Sequence, residues 1–131
     1  MECLKMLVKT IYTFRGRLIA QRAAYRGVPC FVLRSNAART FFIAPGTEAI
    51  TIPLLGAILF RSKRAFRSGW VRRHEYAHIL QMRRHGSLLF MLLYWYYLYK
   101  YGYSENPFEV EANAHARRGS IGGGDDGSRS V

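Results

Sequence analysis

The spacing of apolar residues along the chain predicts different elements in different segments. Over residues 4–25 the apolar positions fit helical spacing, which favours an N-terminal helix, although alternation typical of a strand is also present. Short runs rich in β-branched and aromatic residues follow, separated by turn formers. These runs predict a small sheet with strands at residues 28–34, 40–44, 49–52 and 57–60.

Two helices are predicted next. Ser68 can cap a helix over residues 69–85, and Gly86 supplies its end. Residues 88–101 form a second helix that is apolar on nearly every side. It is too short to span a bilayer, which takes about 20 apolar residues. We expect this aromatic helix to cover the back of the preceding one, with docking on a membrane surface or a partner as an alternative use.

A third helix closes the predicted fold. Asn106 can cap it, Pro107 suits its first position, and the helical pattern continues to about residue 118. The Gly, Ser and Asp of residues 119–131 predict a flexible tail that begins at Gly119. The chain is therefore expected to be a single α+β domain over residues 1–118.

The composition adds a strong positive charge to this picture. The 20 Lys and Arg residues against 8 Asp and Glu give a formal net charge of +12, and a basic cluster lies at positions 61–73. Such a charge raises nucleic acid or an anionic membrane surface as partners. The sequence contains no recognised nucleic-acid-binding motif, so nucleic acid is the less favoured of the two, and a solvated basic face explains the cluster more simply.

The cysteines and the N-terminus argue against a disulfide-rich protein, a cysteine zinc site and a secreted protein. Cys3 and Cys30 are far apart, so neither a disulfide framework nor a cysteine zinc site is indicated. Lys5 and Lys9 interrupt the apolar residues near the N-terminus, which makes it a poor secretory signal. By default, a cytoplasmic location is expected.

Candidate chemistry is concentrated in the segment His74-Glu75-Tyr76-Ala77-His78. Residues four apart lie on the same face of a helix, so both imidazoles can reach one zinc ion. Glu75 lies one step round the helix and is placed to accept a proton from water on that ion. The pattern predicts a zinc site with Glu75 as general base in peptide hydrolysis.

A catalytic zinc ion needs a third protein ligand, and Glu109 and Glu111 on the third predicted helix are the candidates. Each of these glutamates also has an explanation that does not involve a metal. With Asn106 as cap, Glu109 stands where a glutamate closes a capping box. Glu111 can form a surface ion pair, for example with His115 one turn later.

At this point the sequence resembles a known group of enzymes. The His74 motif followed by the segment Glu109-Val110-Glu111-Ala112-Asn113 resembles the gluzincin-type zinc metallopeptidases, and the second segment is similar to the Glu-x-x-Ala-Asn pattern of ImmA/IrrE-type peptidases. Residues 74–81 also resemble the His-Glu-x-x-His-x-x-Gln form of peptidase-like domains associated with contractile injection systems. The resemblance covers roughly residues 49–116.

This resemblance implies roles for individual residues. It favours Glu109 as third ligand over Glu111, and it gives Asn113 the role of supporting a zinc-bound histidine. Gln81, on the same helix face as the histidines, could orient a ligand or contact substrate. The implied fold is a minimal zincin-like domain: a small sheet packs on the active-site helix, and its edge lies over the cleft, where a substrate peptide could add as a strand.

The donor that stabilises the oxyanion cannot be chosen by motif, and Tyr101 and Tyr103 are the candidates. The leading hypothesis is thus a zinc metalloendopeptidase acting on a protein or peptide substrate. The alternatives are an inactive metal-binding protein of the same fold, or a basic adaptor for nucleic acid or a membrane surface.

Overall fold

The computed structural model describes residues 13–14, 17–18, 20–121 and 128–130. Its strands are β1 (Thr13–Phe14), β2 (Arg17–Leu18), β3 (Ala20–Tyr25), β4 (Val28–Leu33), β5 (Ala49–Ile52), β6 (Ala57–Phe60) and β7 (Ser128–Ser130). Its helices are α1 (Asn36–Phe42), α2 (Lys63–Arg67), α3 (Gly69–His85), α4 (Ser87–Tyr101) and α5 (Pro107–Ile121). The fold is α+β, as predicted.

The main sheet has the strand order β5-β6-β4-β3-β7, and β1 pairs with β2 in a separate small ribbon. All neighbours in the main sheet are antiparallel except β4 and β6, which run parallel. The β3–β4 turn is made by Arg26 and Gly27, both with positive φ, the conformation of a tight hairpin turn. Because β5 stands first in the strand order, it lies at one edge of the sheet among the described strands.

The sheet is buried on both faces because its side chains alternate between two clusters. Cys30, Ile58 and Phe60 face a large cluster that also contains residues of α3, α4 and α5. Leu33 and Leu59, at alternate positions, face a smaller cluster completed by α1. The layer of helices α3, α4 and α5, which contains most of the candidate site residues, thus packs on one face of the sheet.

Two predicted elements are wrong. The helix expected at residues 4–25 is contradicted by β3, which pairs in full register with β4. Its apolar residues permitted either reading, and pairing across the hairpin selects the strand. The strand expected at residues 40–44 is contradicted by α1, because Ser35 caps a helix there by accepting a hydrogen bond from the Ala38 N–H. Residues 4–12, 15–16 and 19 of the first prediction lie outside the described part.

The predicted starts of α3 and α5 are confirmed, α4 begins one residue before the predicted start, and the predicted end of α5 is displaced. Ser68 accepts from the Val71 N–H at the start of α3, and Gly86 ends that helix with φ of 83°. Helix α5 continues to Ile121, beyond the stop expected at Gly119. The glycine there has a packing reason, since a Cβ would overlap the Arg73 side chain.

The region expected to be a flexible tail includes ordered pairing. Ser128–Ser130 form β7 against β3, although residues 122–127 and 131 lie outside the described part. Cys30 is buried, and burial raises the pKa of its thiol to about 12; Cys3 lies outside the described part. Within the described part, no helix combines the length and apolar character needed to cross a membrane.

Candidate metal centre

Two helices bring three candidate ligands together. His74 and His78 stand one turn apart on α3, and Glu109 lies on the first turn of α5. The Nε2 atom of His74 is 3.1 Å from Glu109 Oε2, and the Nε2 atom of His78 is 3.3 Å from Glu109 Oε1. All three side chains are buried, and their ligand atoms lie within 4.8 Å of one another. Together they form a group that could hold a metal ion.

These separations suit ligands that share one ion. Two ligand atoms each about 2.0–2.1 Å from a tetrahedral zinc ion lie about 3.3–3.4 Å apart. The nitrogen-to-oxygen distances of 3.1 and 3.3 Å are close to that value. Glu109 Oε2 is also buried without a hydrogen-bond partner among the described residues, although it is a strong acceptor. A cation between the three groups would satisfy it.

Gln81 determines which nitrogen of His78 faces the site. Its side-chain Nε2 donates to the Phe108 carbonyl at 3.0 Å, so its Oε1 must face His78 Nδ1, 2.9 Å away. An amide oxygen only accepts, so His78 carries its proton on Nδ1. When His78 is neutral, the lone pair of its Nε2 faces Glu109, which is the form a metal ligand requires; when His78 is protonated, its Nε2–H faces Glu109 instead. The expected orienting role of Gln81 agrees with this geometry.

The electrostatics of the site are set by one carboxylate between two imidazoles. Burial alone would raise the pKa of Glu109, but the imidazoles of His74 and His78 beside its carboxylate and the charge of His78 hold that pKa well below its usual range. Burial would lower the pKa of His78, but the hydrogen bond and charge of Glu109, with the charge of Glu75, raise it. The site therefore favours a cation beside Glu109, whether a proton or a metal ion.

Helix α4 also contacts Glu109, the third candidate ligand. The Tyr94 hydroxyl donates to Glu109 Oε1 at 2.6 Å. Asn106 fixes the relation between the two helices, because its amide donates to the Tyr94 carbonyl and its Oδ1 accepts from the Phe108 N–H at the start of α5. Asn106 thus caps α5 as predicted. Its backbone N–H donates to the Tyr103 carbonyl, so Glu109 contacts the histidines instead of completing a capping box.

Glu75 lies beside the three ligands and is held by the sheet. The Thr51 hydroxyl, on edge strand β5, donates to Glu75 Oε2 at 2.7 Å. Glu75 is buried yet lines the same cavity as His74, His78 and Glu109. A carboxylate in this position can exchange protons with a molecule bound in the cavity.

The cavity over these residues has a volume of about 410 Å³. Strand β5 and the segments at its two ends line the cavity, and so does α4 through Phe90, Met91, Tyr94 and Trp95. The aromatic helix was expected to cover the back of the active-site helix. It instead forms a side wall of the cavity.

The remaining predicted residues are distributed as follows. Glu111 pairs with Arg84 at 3.0 Å on the surface, so it is not at the site, and its partner is not His115. Asn113 does not hydrogen-bond to His74 Nδ1, which is buried without a partner among the described residues. Tyr103 lines the cavity, whereas Tyr101 packs against Tyr97.

No protein-family model, curated protein or solved structure matches this chain.

Three residues at the site were missed by sequence reasoning. They are Tyr94, Thr51 and Trp70, whose ring stacks on His74 at a centroid distance of 5.0 Å. Trp70 could have been found, because it lies four residues before His74 on the same helix face. Tyr94 stands among many aromatic residues of α4, and Thr51 is one polar residue in a strand, so neither carries a local signal.

A substitution of Gln81 tests its role. In Gln81→Met, His78 loses the acceptor that fixes its tautomer, so we expect metal affinity to fall about 10- to 100-fold, the usual effect of losing a partner of a metal-bound histidine. Competitive titration with a zinc chelator measures it. The matched control is Leu80→Met, an adjacent but exposed position on the same helix, which should bind as the parent does. Equal affinity of the two variants would contradict the assignment.

Proposed function

We propose that this protein is a zinc-dependent metallopeptidase. The observation that carries the proposal is the convergence of His74 Nε2, His78 Nε2 and the Glu109 carboxylate in a cavity that Glu75 also lines. Two imidazoles and one carboxylate are a donor set suited to zinc. A purely structural ion pair between Glu109 and the histidines would need neither a second carboxylate, that of Glu75, nor a cavity beside it.

A zinc ion held by these residues would polarise a substrate carbonyl and make a water molecule more acidic. Glu75 then acts as the general base: its carboxylate accepts a proton from the attacking water and later delivers that proton to the leaving amine. The Thr51 hydroxyl at 2.7 Å keeps the Glu75 carboxylate oriented. This chemistry forms no covalent bond between enzyme and substrate.

Two further features support a peptide substrate. Strand β5 is an edge strand that lines the cavity, so an extended peptide could pair with it beside Glu75. Tyr103 also lines the cavity, where burial together with the charge and hydrogen bonding of Glu109 raises its pKa to about 12. Its hydroxyl stays protonated at neutral pH and can donate to a developing oxyanion.

The proposal is tested with the full chain. The purified protein should contain about one zinc ion per chain and should cleave an unfolded protein substrate. Removal of the metal by a chelator should abolish cleavage, and added zinc should restore it. Bound zinc with no cleavage of a broad peptide library would instead identify the alternative, an inactive metal-binding protein. Absence of bound metal at neutral pH would refute both.

A further inference from the structure

Helix α4 has one face against the protein and one face in solvent, and both are apolar. Phe90, Tyr94 and Tyr97 pack towards α5 and the core. The opposite face exposes large side chains along the whole helix: Leu88, Leu89, Leu92, Trp95, Tyr96 and Tyr99. Tyr99 is 92% exposed. An uninterrupted apolar face of this length is unusual on a soluble monomer and marks a docking surface.

A second exposed apolar pair lies next to a residue that lines the cavity. Leu54 and Leu55, in the turn between β5 and β6, are 74% and 60% exposed. They directly follow Pro53, which lines the cavity together with Met91 and Trp95 of α4. Two segments with exposed apolar residues therefore adjoin the cavity, and a surface covering them would also adjoin the metal centre.

The charge distribution indicates what covers this face. Among residues 20–121, Glu75 and Glu109 are inside the site and Glu111 is paired with Arg84, so the other acidic residues are only Glu48 and Glu105. The surface is otherwise strongly basic, in keeping with the net charge of +12. A basic body with an uncharged apolar face complements an anionic surface that has an apolar interior, which is an anionic lipid bilayer.

The dimensions of α4 support the same occupant. Its 15 residues give a length of about 22 Å, too short for a hydrocarbon core of about 30 Å but suited to lying in the plane of the interface. Its exposed Trp and Tyr side chains have apolar rings with a polar group, which favours the headgroup region. Lys100, in the last turn of the helix, provides a cation for the same headgroup region. A symmetric dimer through this face would instead bring two strongly basic proteins together, and their like charges would repel each other.

We propose that the exposed face of α4, with the Leu54-Leu55 turn, docks this protein on anionic membrane surfaces, with the cavity of the metal centre opening at the bilayer interface. Segments of proteins close to a membrane would then be presented to the cavity. Docking itself needs neither the metal nor catalysis, so the docking proposal and the peptidase proposal can be tested separately.

Vesicle cosedimentation of the full chain tests the docking surface. Vesicles of phosphatidylcholine with about one quarter phosphatidylserine should bind the protein at least about tenfold more strongly than phosphatidylcholine alone, and the binding should weaken with salt. The double variant Leu92→Ser/Tyr99→Ser should lose binding by more than about tenfold. Both side chains are largely exposed, so folding should be retained, as circular dichroism would verify.

The matched control is Leu80→Ser/Val110→Ser, which removes two exposed apolar side chains from α3 and α5 without changing the charge. It should bind vesicles as the parent does, and so should Glu75→Gln. Equal loss in the control variant, or no binding of the parent to anionic vesicles, overturns the proposal. A dimer in solution that the Leu92→Ser/Tyr99→Ser variant disperses, without vesicle binding, would also overturn it and assign the face to a second copy.

Discussion

Replacing Glu75 by glutamine should lower the rate of peptide hydrolysis by about 10²- to 10⁴-fold, the usual contribution of a general base. Glutamine has nearly the same shape and can keep a hydrogen bond to Thr51, but its amide cannot accept a proton from water at neutral pH. Because Glu75 is not one of the converging ligands, zinc content should stay close to that of the parent. The measurement compares cleavage rates at equal metal occupancy.

The control for this variant is Glu48→Gln. Glu48 is an exposed glutamate shortly before β5, so the charge change is the same but the position is outside the cavity lining. Its cleavage rate should match that of the parent. If Glu75→Gln cleaves as fast as Glu48→Gln, Glu75 is not the base and the peptidase mechanism fails, whatever the metal content.

The second large effect is expected at the third ligand. Glu109→Gln should reduce zinc affinity by more than about 100-fold, because losing a direct ligand exceeds the 10- to 100-fold cost of losing its hydrogen-bonding partner. The substitution removes the negative charge that lies 3.1 and 3.3 Å from the two imidazoles. Chelator competition at neutral pH measures the affinity, and cleavage should be lost in parallel when zinc is limiting.

The sequence itself supplies the control, since Glu111 is the alternative ligand. Glu111→Gln breaks only a surface ion pair with Arg84, and such pairs contribute between zero and about 1 kcal/mol. Its zinc affinity should therefore equal that of the parent. The reverse result, with Glu111→Gln losing zinc and Glu109→Gln keeping it, would show that the metal uses a different set of ligands.

The fold prepares this site through three connections between elements that are distant in sequence. Gln81 joins α3 to the start of α5, Asn106 joins α4 to α5, and Thr51 joins the sheet to α3. The first two are almost fully buried polar side chains, and each satisfies a backbone group of another element. Loss of any of them is expected to loosen the arrangement of the ligands.

Much of the helical half could be predicted from local chemistry. Ser68, Gly86 and Asn106 are capping residues whose preference is intrinsic, so the starts of α3 and α5 and the end of α3 were predicted correctly. The first half was harder. Residues 20–25 and 40–44 carry apolar patterns that fit both helix and strand, and only pairing with β4 and capping by Ser35 distinguish them.

The sequence by itself determined the local part of the candidate site: two histidines and a glutamate within one turn of helix, with Gln81 on the same face, because an α-helix fixes the relative positions of such close neighbours. Tertiary structure brought Glu109, and not Glu111, to the two histidines, brought Tyr94 and Thr51 to the site, and made α4 part of the cavity lining with an exposed apolar face. These outcomes depend on how separate helices and strands pack, and packing is a property of the whole chain rather than of any one segment.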